Sequence, residues 1–218
     1  MKKIVSKYDR MLLASLPRAI FPGRIEVVVD EGEAERATSY LMRHSLLGFD
    51  TETRPSFRRG RLYQVSLLQV STDDVCFLFR LGIIGLPPCL KRLLSDREIT
   101  KVGLAWHDDL HALRQRGKFE AGTFTDLQSI AGQMGIEDLG LQKLYANIFA
   151  EKISKGQQLS NWDADTLSEA QKLYAATDAW ACLRLYREMT RMKEEGYELL
   201  TTDQPLAAAP AGNVSGQP

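Results

Sequence analysis

The stretch "LLGFDTE", residues 46–52, places two carboxylates on a segment that otherwise has the composition of a buried strand. Strand side chains alternate between faces, so Asp50 and Glu52 point to the same side. Two like charges in a core are costly unless something positive neutralises them, and no lysine or arginine occurs between residues 44 and 53. A divalent cation bound by these oxygens is the simplest neutraliser. The alternative is a strand end where both carboxylates meet water.

The surrounding segments predict the fold class. Four further segments are short and rich in β-branched or apolar residues, as strands are. Residues from about 106 to 196 have the spacing of helices instead. Strands in the first half and helices in the second predict an α/β fold with a mixed five-stranded sheet flanked by helices. Together with the strand at residues 46–52, the five predicted strands lie at residues 25–30, 46–52, 63–71, 75–79 and 99–105.

The ends of the chain differ in composition from its middle. Residues 1–24 are interpreted as an N-terminal extension that packs through "MLLASLP" and "IF". Residues 25–198 are predicted to form the main domain. Residues 199–218 are small, polar and proline-containing, which predicts a disordered tail.

Charge and cysteine content limit the possible surroundings. The 218 residues include 28 Lys and Arg against 28 Asp and Glu, so the protein is not coated in positive charge, although a local basic patch is possible. Three widely spaced cysteines form no metal-ligand or disulfide pattern and suit a reducing compartment. Charged residues interrupt the N-terminal apolar stretch, and no run reaches membrane-spanning length. We therefore expect a cytoplasmic protein with no signal peptide and no membrane segment.

A second acidic pair, Asp108 and Asp109, follows the last predicted strand. Both residues open a predicted helix, "DDLHALRQRG". Acidic residues are favourable at this end of a helix, so N-capping explains them without any catalytic role. Taken alone, the pair is better explained by capping than by a metal site.

A third acidic position lies in "QKLYAATDAW", residues 171–180. Tyr174 and Asp178 are four residues apart, so they share one face of the predicted helix. Alanines surround Asp178 and allow another backbone to approach closely, so this carboxylate is not expected to be simply solvated. The pair is either an ordinary hydrogen bond near the core or part of a catalytic site.

Together, these segments resemble the motifs of one nuclease family. "FDTET", "KVGLAWHDDLHAL" and "LSNW" with "QKLYAATDA" resemble, in order, the three motifs of the DEDD 3′–5′ exonucleases in their tyrosine-containing form. The third motif is more similar to Werner-type exonuclease domains than to ribonuclease D. The resemblance covers about residues 25 to 190, and its alignment of the second motif selects Asp109 over Asp108.

This resemblance implies an RNase H-like fold and a site with two Mg²⁺ or Mn²⁺ ions. Asp50, Glu52 and Asp178 would bind one ion, and Asp50 would bridge to the second, which Asp109 would support through water. Tyr174 would orient the attacking water, because a phenol is a poor base at neutral pH.

The implied activity is release of 5′-mononucleotides from the 3′ end of nucleic acid, with DNA degraded at least as well as RNA. Processing of RNA 3′ ends in the manner of ribonuclease D is an alternative. A non-catalytic nucleic-acid-binding module and an enzyme acting on small oligonucleotides are two others. The four carboxylates and the tyrosine favour an enzyme over a binding module.

Substrate contacts are predicted from basic residues near these motifs. Arg58, Arg59 and Arg61 lie in a loop after Glu52, where positive charge suits a phosphate backbone. Lys155 precedes the third motif and is assigned the same role. An ordinary solvated loop explains the arginines equally well.

Overall fold

The computed structural model describes residues 1–57, 60 and 62–201 of the 218-residue chain. Arg58, Arg59 and Arg61, which were predicted to contact nucleic acid, lie outside the described residues. The same holds for the predicted tail from residue 202 onward.

The described chain is organised around a mixed six-stranded sheet with the order β2-β5-β4-β3-β6-β7. Strand β4 is antiparallel to both of its neighbours, and the other pairs are parallel. The predicted mixed sheet is therefore confirmed, but it has one strand more than the five expected. The strands are β1 (Lys2–Val5), β2 (Arg24–Val28), β3 (Leu46–Thr53), β4 (Val65–Ser71), β5 (Val75–Phe79), β6 (Thr100–Gly103), β7 (Phe124–Asp126) and β8 (Tyr197–Leu200).

The additional strand is β7, in a region that was predicted to be entirely helical. It has three residues, "FTD", which are too few to show an alternating pattern. Pairing with β6 in parallel is what defines it as a strand.

Helices cover both faces of this sheet. Phe49 and Val70 belong to the core on one face, and Leu67 and Ala179 belong to the core on the other. The chain has a 3₁₀ helix (Arg10–Ser15) and the α-helices α1 (Glu31–Leu41), α2 (Leu81–Ile84), α3 (Pro88–Ser95), α4 (Trp106–Arg116), α5 (Leu127–Gln133), α6 (Leu141–Phe149) and α7 (Glu169–Glu195). In the part of the chain described, no helix has the length and apolar character to cross a membrane.

Helix α7, with 27 residues, brings the third motif to the sheet. It begins with a capping box, in which the Ser168 side chain accepts from the Gln171 backbone and the Gln171 side chain accepts from the Ser168 backbone. The helix lies so close to β3 that a Cβ added at Gly48 would be 2.1 Å from the Ala179 carbonyl oxygen. Glycine on the strand and alanine on the helix therefore permit the approach that places Asp178 beside β3.

The N-terminal segment is tied to the rest of the fold. Strand β1 pairs in parallel with β8, so the first and last described elements form a second, two-stranded sheet. Leu13 and Phe21, from the two apolar stretches expected to pack, are buried, and the Phe21 ring lies 5.9 Å from that of Trp180. Strand β8 extends across the boundary predicted after residue 198.

Candidate active site

Three of the predicted carboxylates converge where β3 meets α7. Asp50, Glu52 and Asp178 each present an oxygen, and these oxygens lie within 4.8 Å of one another. Asp50 and Glu52 are half-buried, and Asp178 is buried. They line a cavity of about 320 Å³ that also contains Tyr174 and Lys155.

Crowding of these acids makes their ionised forms unfavourable. Burial raises the pKa of Asp50 well above its usual range, and the neighbouring charges of Asp178 and Asp109 raise it further. Burial and the charge of Asp50 also raise the pKa of Glu52, to about 10. Protons or a cation must therefore offset the negative charge of this cluster.

The pKa of Asp178 shows the same effect in a milder form. Burial raises this pKa to about 7, while hydrogen bonding with the Tyr174 phenol and the charge of Lys155 hold it lower than burial alone would. The Asp178 Oδ1 atom is buried and has no hydrogen-bond partner among the described residues. An unpaired buried carboxylate oxygen is costly and needs a partner.

These features fit a divalent cation. The donor set consists of carboxylate oxygens, which hard cations such as Mg²⁺ and Mn²⁺ prefer. Within the described ranges, none of the three acids forms an ion pair with a lysine, arginine or histidine. A bound cation would satisfy Asp178 Oδ1 and relieve the repulsion among the carboxylates.

Asp109 lies beside the cluster, on the first turn of α4. It is half-buried, whereas Asp108 is exposed. Its carboxylate accepts a hydrogen bond from the Thr51 hydroxyl, which offsets part of the rise that burial causes in the pKa of Asp109. The structure therefore distinguishes the two neighbouring aspartates, and only Asp109 is held towards β3.

Capping does not account for this pair. The N-cap residue of α4 is Ala105, which adopts a left-handed conformation with φ of 58°. Its backbone N–H donates to Asp126 Oδ1 over 3.0 Å, so a residue of β7 supports the turn that presents Asp109. The sequence did not predict strand β7, so it did not predict this hydrogen bond between Ala105 and Asp126 either.

Tyr174 lies one helical turn before Asp178 and lines the same cavity. Its ring packs 6.0 Å from that of Trp162, which is fully buried. Burial raises the pKa of the Tyr174 phenol far above its usual value, and the charges of Asp178 and Glu52 raise it further. The phenol is therefore protonated at neutral pH, and its hydroxyl can donate a hydrogen bond.

Gln69 is a polar residue of this region that the sequence reasoning did not select. It lies directly opposite Asp50 in the β3–β4 pair and is fully buried. Neither its amide nitrogen nor its amide oxygen has a hydrogen-bond partner in the described structure. The signal was available, because an amide within the apolar strand "VSLLQVS" is as unexpected as the carboxylates of β3.

Carboxylates gathered around a cavity, with a protonated phenol beside them, could hold a metal ion, and nucleases use metal ions held by carboxylates for phosphodiester hydrolysis. The family model of the 3′–5′ exonuclease domain matches residues 25–194. This chain belongs to the 3′–5′ exonuclease domain family.

Two relatives and one solved structure illustrate the similarity. The Mus musculus bifunctional 3′–5′ exonuclease/ATP-dependent helicase WRN is 29% identical over 185 residues, which cover 80% of this chain and 13% of that protein. Ribonuclease D of Gluconacetobacter diazotrophicus is 32% identical over 210 residues, which cover 91% of this chain and 51% of that protein. This chain thus spans about half or less of these two relatives.

The crystal structure of Escherichia coli RNase D superimposes with a TM-score of 0.71 at 21% identity, covering 79% of this chain and 46% of that one. This similarity confirms the predicted RNase H-like α/β fold.

Proposed function

We propose that this protein is a metal-dependent 3′–5′ exonuclease that releases 5′-mononucleotides from the 3′ end of nucleic acid. The observation that carries the proposal is the convergence of Asp50, Glu52 and Asp178 within 4.8 Å. The unpartnered Asp178 Oδ1 supports it, because this oxygen is positioned for a cation rather than for a protein group.

Each carboxylate has a distinct role in this proposal. Asp50, Glu52 and Asp178 would hold one Mg²⁺ or Mn²⁺ ion, and Asp50 would also serve a second ion that Asp109 would support. Such ions, when bound, stabilise charge on the attacking and leaving oxygens and lower the pKa of the attacking water. The Thr51 hydroxyl holds the Asp109 carboxylate in place for its supporting role.

Tyr174 orients the attacking water in this proposal. A phenol is a poor general base at neutral pH because its ordinary pKa is near 10, and in the metal-free protein burial and the nearby carboxylates raise the pKa of Tyr174 further. A protonated hydroxyl at the edge of the carboxylate cluster can hydrogen-bond a water and aim it at phosphorus. Packing against Trp162 restricts the ring and so restricts where the hydroxyl can point.

Nucleic acid is the proposed substrate, and we expect DNA to be degraded at least as well as RNA. This expectation rests on the third motif, which resembles Werner-type exonuclease domains more closely than ribonuclease D. Lys155 lines the cavity and interacts electrostatically with Asp178, so it is positioned to meet a phosphate. The proposed contacts of Arg58, Arg59 and Arg61 with the strand remain predictions.

Processing of RNA is a second candidate, which the similarity to ribonuclease D of Gluconacetobacter diazotrophicus favours. A metal site does not distinguish the two sugars. Discrimination would therefore depend on a contact to the 2′-hydroxyl.

We also infer a reducing, cytoplasmic compartment. Cys76, Cys89 and Cys182 are free and buried. Free thiols without a disulfide framework are typical of cytosolic proteins.

A nuclease assay tests the proposed function. The substrates are 5′-labelled DNA and RNA single strands of identical sequence, a duplex with a recessed 3′ end, and a dinucleotide. Each is incubated with Mg²⁺, with Mn²⁺ or with EDTA. We expect a ladder of products shortened from the 3′ end in either metal and none in EDTA. Metal-independent cleavage, or no cleavage of any substrate, would exclude the proposal.

A strong preference for the RNA strand would move the substrate assignment to the second candidate. A preference for the dinucleotide would identify an enzyme of small oligonucleotides. Neither result changes the proposed roles of the four carboxylates.

A further inference from the structure

The N-terminal segment at residues 17–21 runs alongside the active site and is fastened on two sides. The Ala19 N–H donates to the Lys152 carbonyl over 2.9 Å, and the Lys152 N–H donates to the Pro17 carbonyl over 2.8 Å. The Phe21 N–H donates over 3.1 Å to the hydroxyl of Thr177, the residue before Asp178. The backbone on either side of Arg18 is therefore held in place by two hydrogen bonds.

This segment forms one wall of a second cavity, of about 210 Å³. Four residues line both this cavity and the larger one that holds the carboxylate cluster. The cavities therefore adjoin, and both reach the catalytic end of α7. The shared residues are Ile153, Ser154, Tyr174 and Asp178.

Positive charge is distributed between the two cavities. Lys155 lines only the larger one, and Arg18 lines only the smaller one. Arg18 is exposed, and its side chain forms no ion pair or hydrogen bond with any described residue. A guanidinium on a restrained backbone, without a protein partner, is available to an anion that enters the smaller cavity.

The position of the acids indicates which phosphate of a substrate strand would lie beside Arg18. Asp50 and Glu52 line only the larger cavity, so the scissile phosphate, which the ions must contact, belongs there. An anion beside Arg18 lies on the other side of Asp178 and Tyr174. The walls next to it include Ile20 and Leu173, whose apolar surfaces suit a sugar or a base.

We propose that Arg18 binds a non-scissile phosphate of the substrate strand, so that the strand crosses both cavities with the cleaved bond between Arg18 and Lys155. The inference rests on the proposed function. It adds a substrate contact from outside the family match, which begins at residue 25. The N-terminal segment is then part of the substrate site and not only of the scaffold.

Two substrates separate this role from catalysis. One is a labelled single strand, and the other is the p-nitrophenyl ester of thymidine 5′-monophosphate, which contains a single phosphodiester and no neighbouring phosphate. For Arg18→Ala we expect KM for the strand to rise about tenfold with kcat nearly unchanged, as for one lost charge-assisted contact. The salt dependence of binding should become flatter by about 0.7 in slope. Hydrolysis of the ester should not change.

Two further variants complete the test. Arg18→Lys keeps the charge and should recover part of the affinity for the strand. Arg10→Ala removes the same charge from the preceding 3₁₀ helix, at an exposed position that lines neither cavity, and it should behave as wild type. Equal losses on strand and ester, an unchanged KM for the strand in Arg18→Ala, or the same loss in Arg10→Ala would each overturn the proposal.

Binding keeps the two proposals distinguishable. Strand affinity can be measured by fluorescence anisotropy in Ca²⁺, with hydrolysis not required for the readout. An inactive wild-type enzyme that still binds the strand more tightly than Arg18→Ala would refute the proposed function and keep the Arg18 contact. If wild type is active and Arg18→Ala has the same strand affinity and KM, the proposed function is kept and the Arg18 contact is refuted.

Discussion

Helix α7 carries one buried carboxylate, Asp178, and one half-buried carboxylate, Glu188, and their pKa values shift in opposite directions. Glu188 interacts with Arg191, and the Lys2 ammonium lies 2.6 Å from its carboxylate. Hydrogen bonds from Arg191, with a further contribution from Lys2, lower the pKa of Glu188 to about 2. For Asp178, burial raises the pKa to about 7.

The difference separates an acid whose charge the fold compensates from an acid that we propose to bind a metal ion. The fold gives Glu188 cations from β1 and from its own helix, so its charge is satisfied by protein. Asp178 instead lies beside the carboxylates of Asp50 and Glu52, and its own Oδ1 atom has no hydrogen-bond partner among the described residues. A charge that the fold does not compensate is a charge available to a metal.

The largest effect expected is loss of activity on removing the uncompensated charge. Asp178→Asn keeps the shape of the side chain but removes the negative charge of a proposed metal ligand, so we expect cleavage to fall by on the order of 10³-fold or more. Asp50→Ala and Glu52→Ala should be equally severe. Glu188→Gln, the matched control on the same helix, should cleave at the wild-type rate. Cleavage is measured on a labelled strand, and comparable losses in both variants would remove the distinction between the two acids.

A similar contrast applies to the neighbours Asp108 and Asp109. Asp109→Ala removes the carboxylate that Thr51 holds towards β3, so we expect a loss of about 10²-fold. Asp108 is exposed, and Asp108→Ala should leave the rate near that of wild type. Single-turnover rates in Mg²⁺ check both variants. If the larger loss belonged to Asp108, the register assigned to the second motif would be wrong.

Tyr174→Phe tests the phenol while all four carboxylates stay in the chain. We expect the rate to fall by about 10²-fold, because one positioning interaction is lost while the ring still packs on Trp162. Metal affinity, measured by isothermal titration calorimetry, should hardly change. A wild-type rate in this variant would leave Tyr174 as a packing residue only.

The pKa shifts predict that pH affects the metal-free protein through the carboxylate cluster. The pKa of Asp178 is about 7 in the fold against 3.8 ordinarily, so folding favours the protonated acid. The resulting stability is complete below about pH 4 and is lost as the pH rises through about 7. One pKa unit corresponds to about 1.4 kcal/mol, so the free energy of unfolding should fall by a few kcal/mol over this window.

Metal should reverse this loss, because it binds the ionised carboxylates. Urea unfolding with EDTA and with Mg²⁺ at about pH 5 and about pH 8 measures both effects, and stabilisation by Mg²⁺ should be larger at the higher pH. Asp178→Asn should flatten the pH dependence of the metal-free protein. Equal stabilisation by Mg²⁺ at both pH values would contradict the expectation that Mg²⁺ competes with protons for these carboxylates.

The smallest effect expected is that of Glu188 on stability, and its dependence on pH is opposite to that of Asp178. Its pKa is lowered from 4.5 to about 2, so its contribution to stability is present above about pH 4.5 and is lost as the pH falls towards 2. Glu188→Gln should lower the free energy of unfolding by no more than about 1 kcal/mol at neutral pH, since its partners are partly exposed. Urea unfolding at neutral pH measures it, and a stabilised Glu188→Gln protein would refute the assignment of Glu188 as a paired structural acid.

Much of the fold could be predicted because strand and helix patterns are local. Residues 46–52 and 75–79 alternate or are continuously apolar, and the structure has strands β3 and β5 there. The three residues of β7 have no pattern of their own, and only pairing with β6 makes them a strand. The fifth predicted strand, which contains β6, therefore pairs with a strand that the local sequence does not predict.

The acidic residues of the candidate site were predictable for a different reason. A carboxylate in an apolar strand or among alanines violates the rule that buried charge must be compensated, and this violation is visible in the sequence. Gln69 violates the same rule and could have been selected by it. Arg18 violates no rule, because an exposed arginine near a proline is ordinary, and only the fold places it beside the catalytic end of α7.

The sequence by itself determined the family, the sheet-and-helix composition and the identity of the acids, because these depend on residue types and their spacing. Tertiary structure alone decided that Asp50, Glu52 and Asp178 meet within 4.8 Å and that, among the described residues, Glu188 forms ion pairs whereas Asp178 forms none. The physical reason is that charge compensation depends on distances between atoms far apart in the chain. Those distances exist only once Gly48 and Ala179 allow α7 to close on β3.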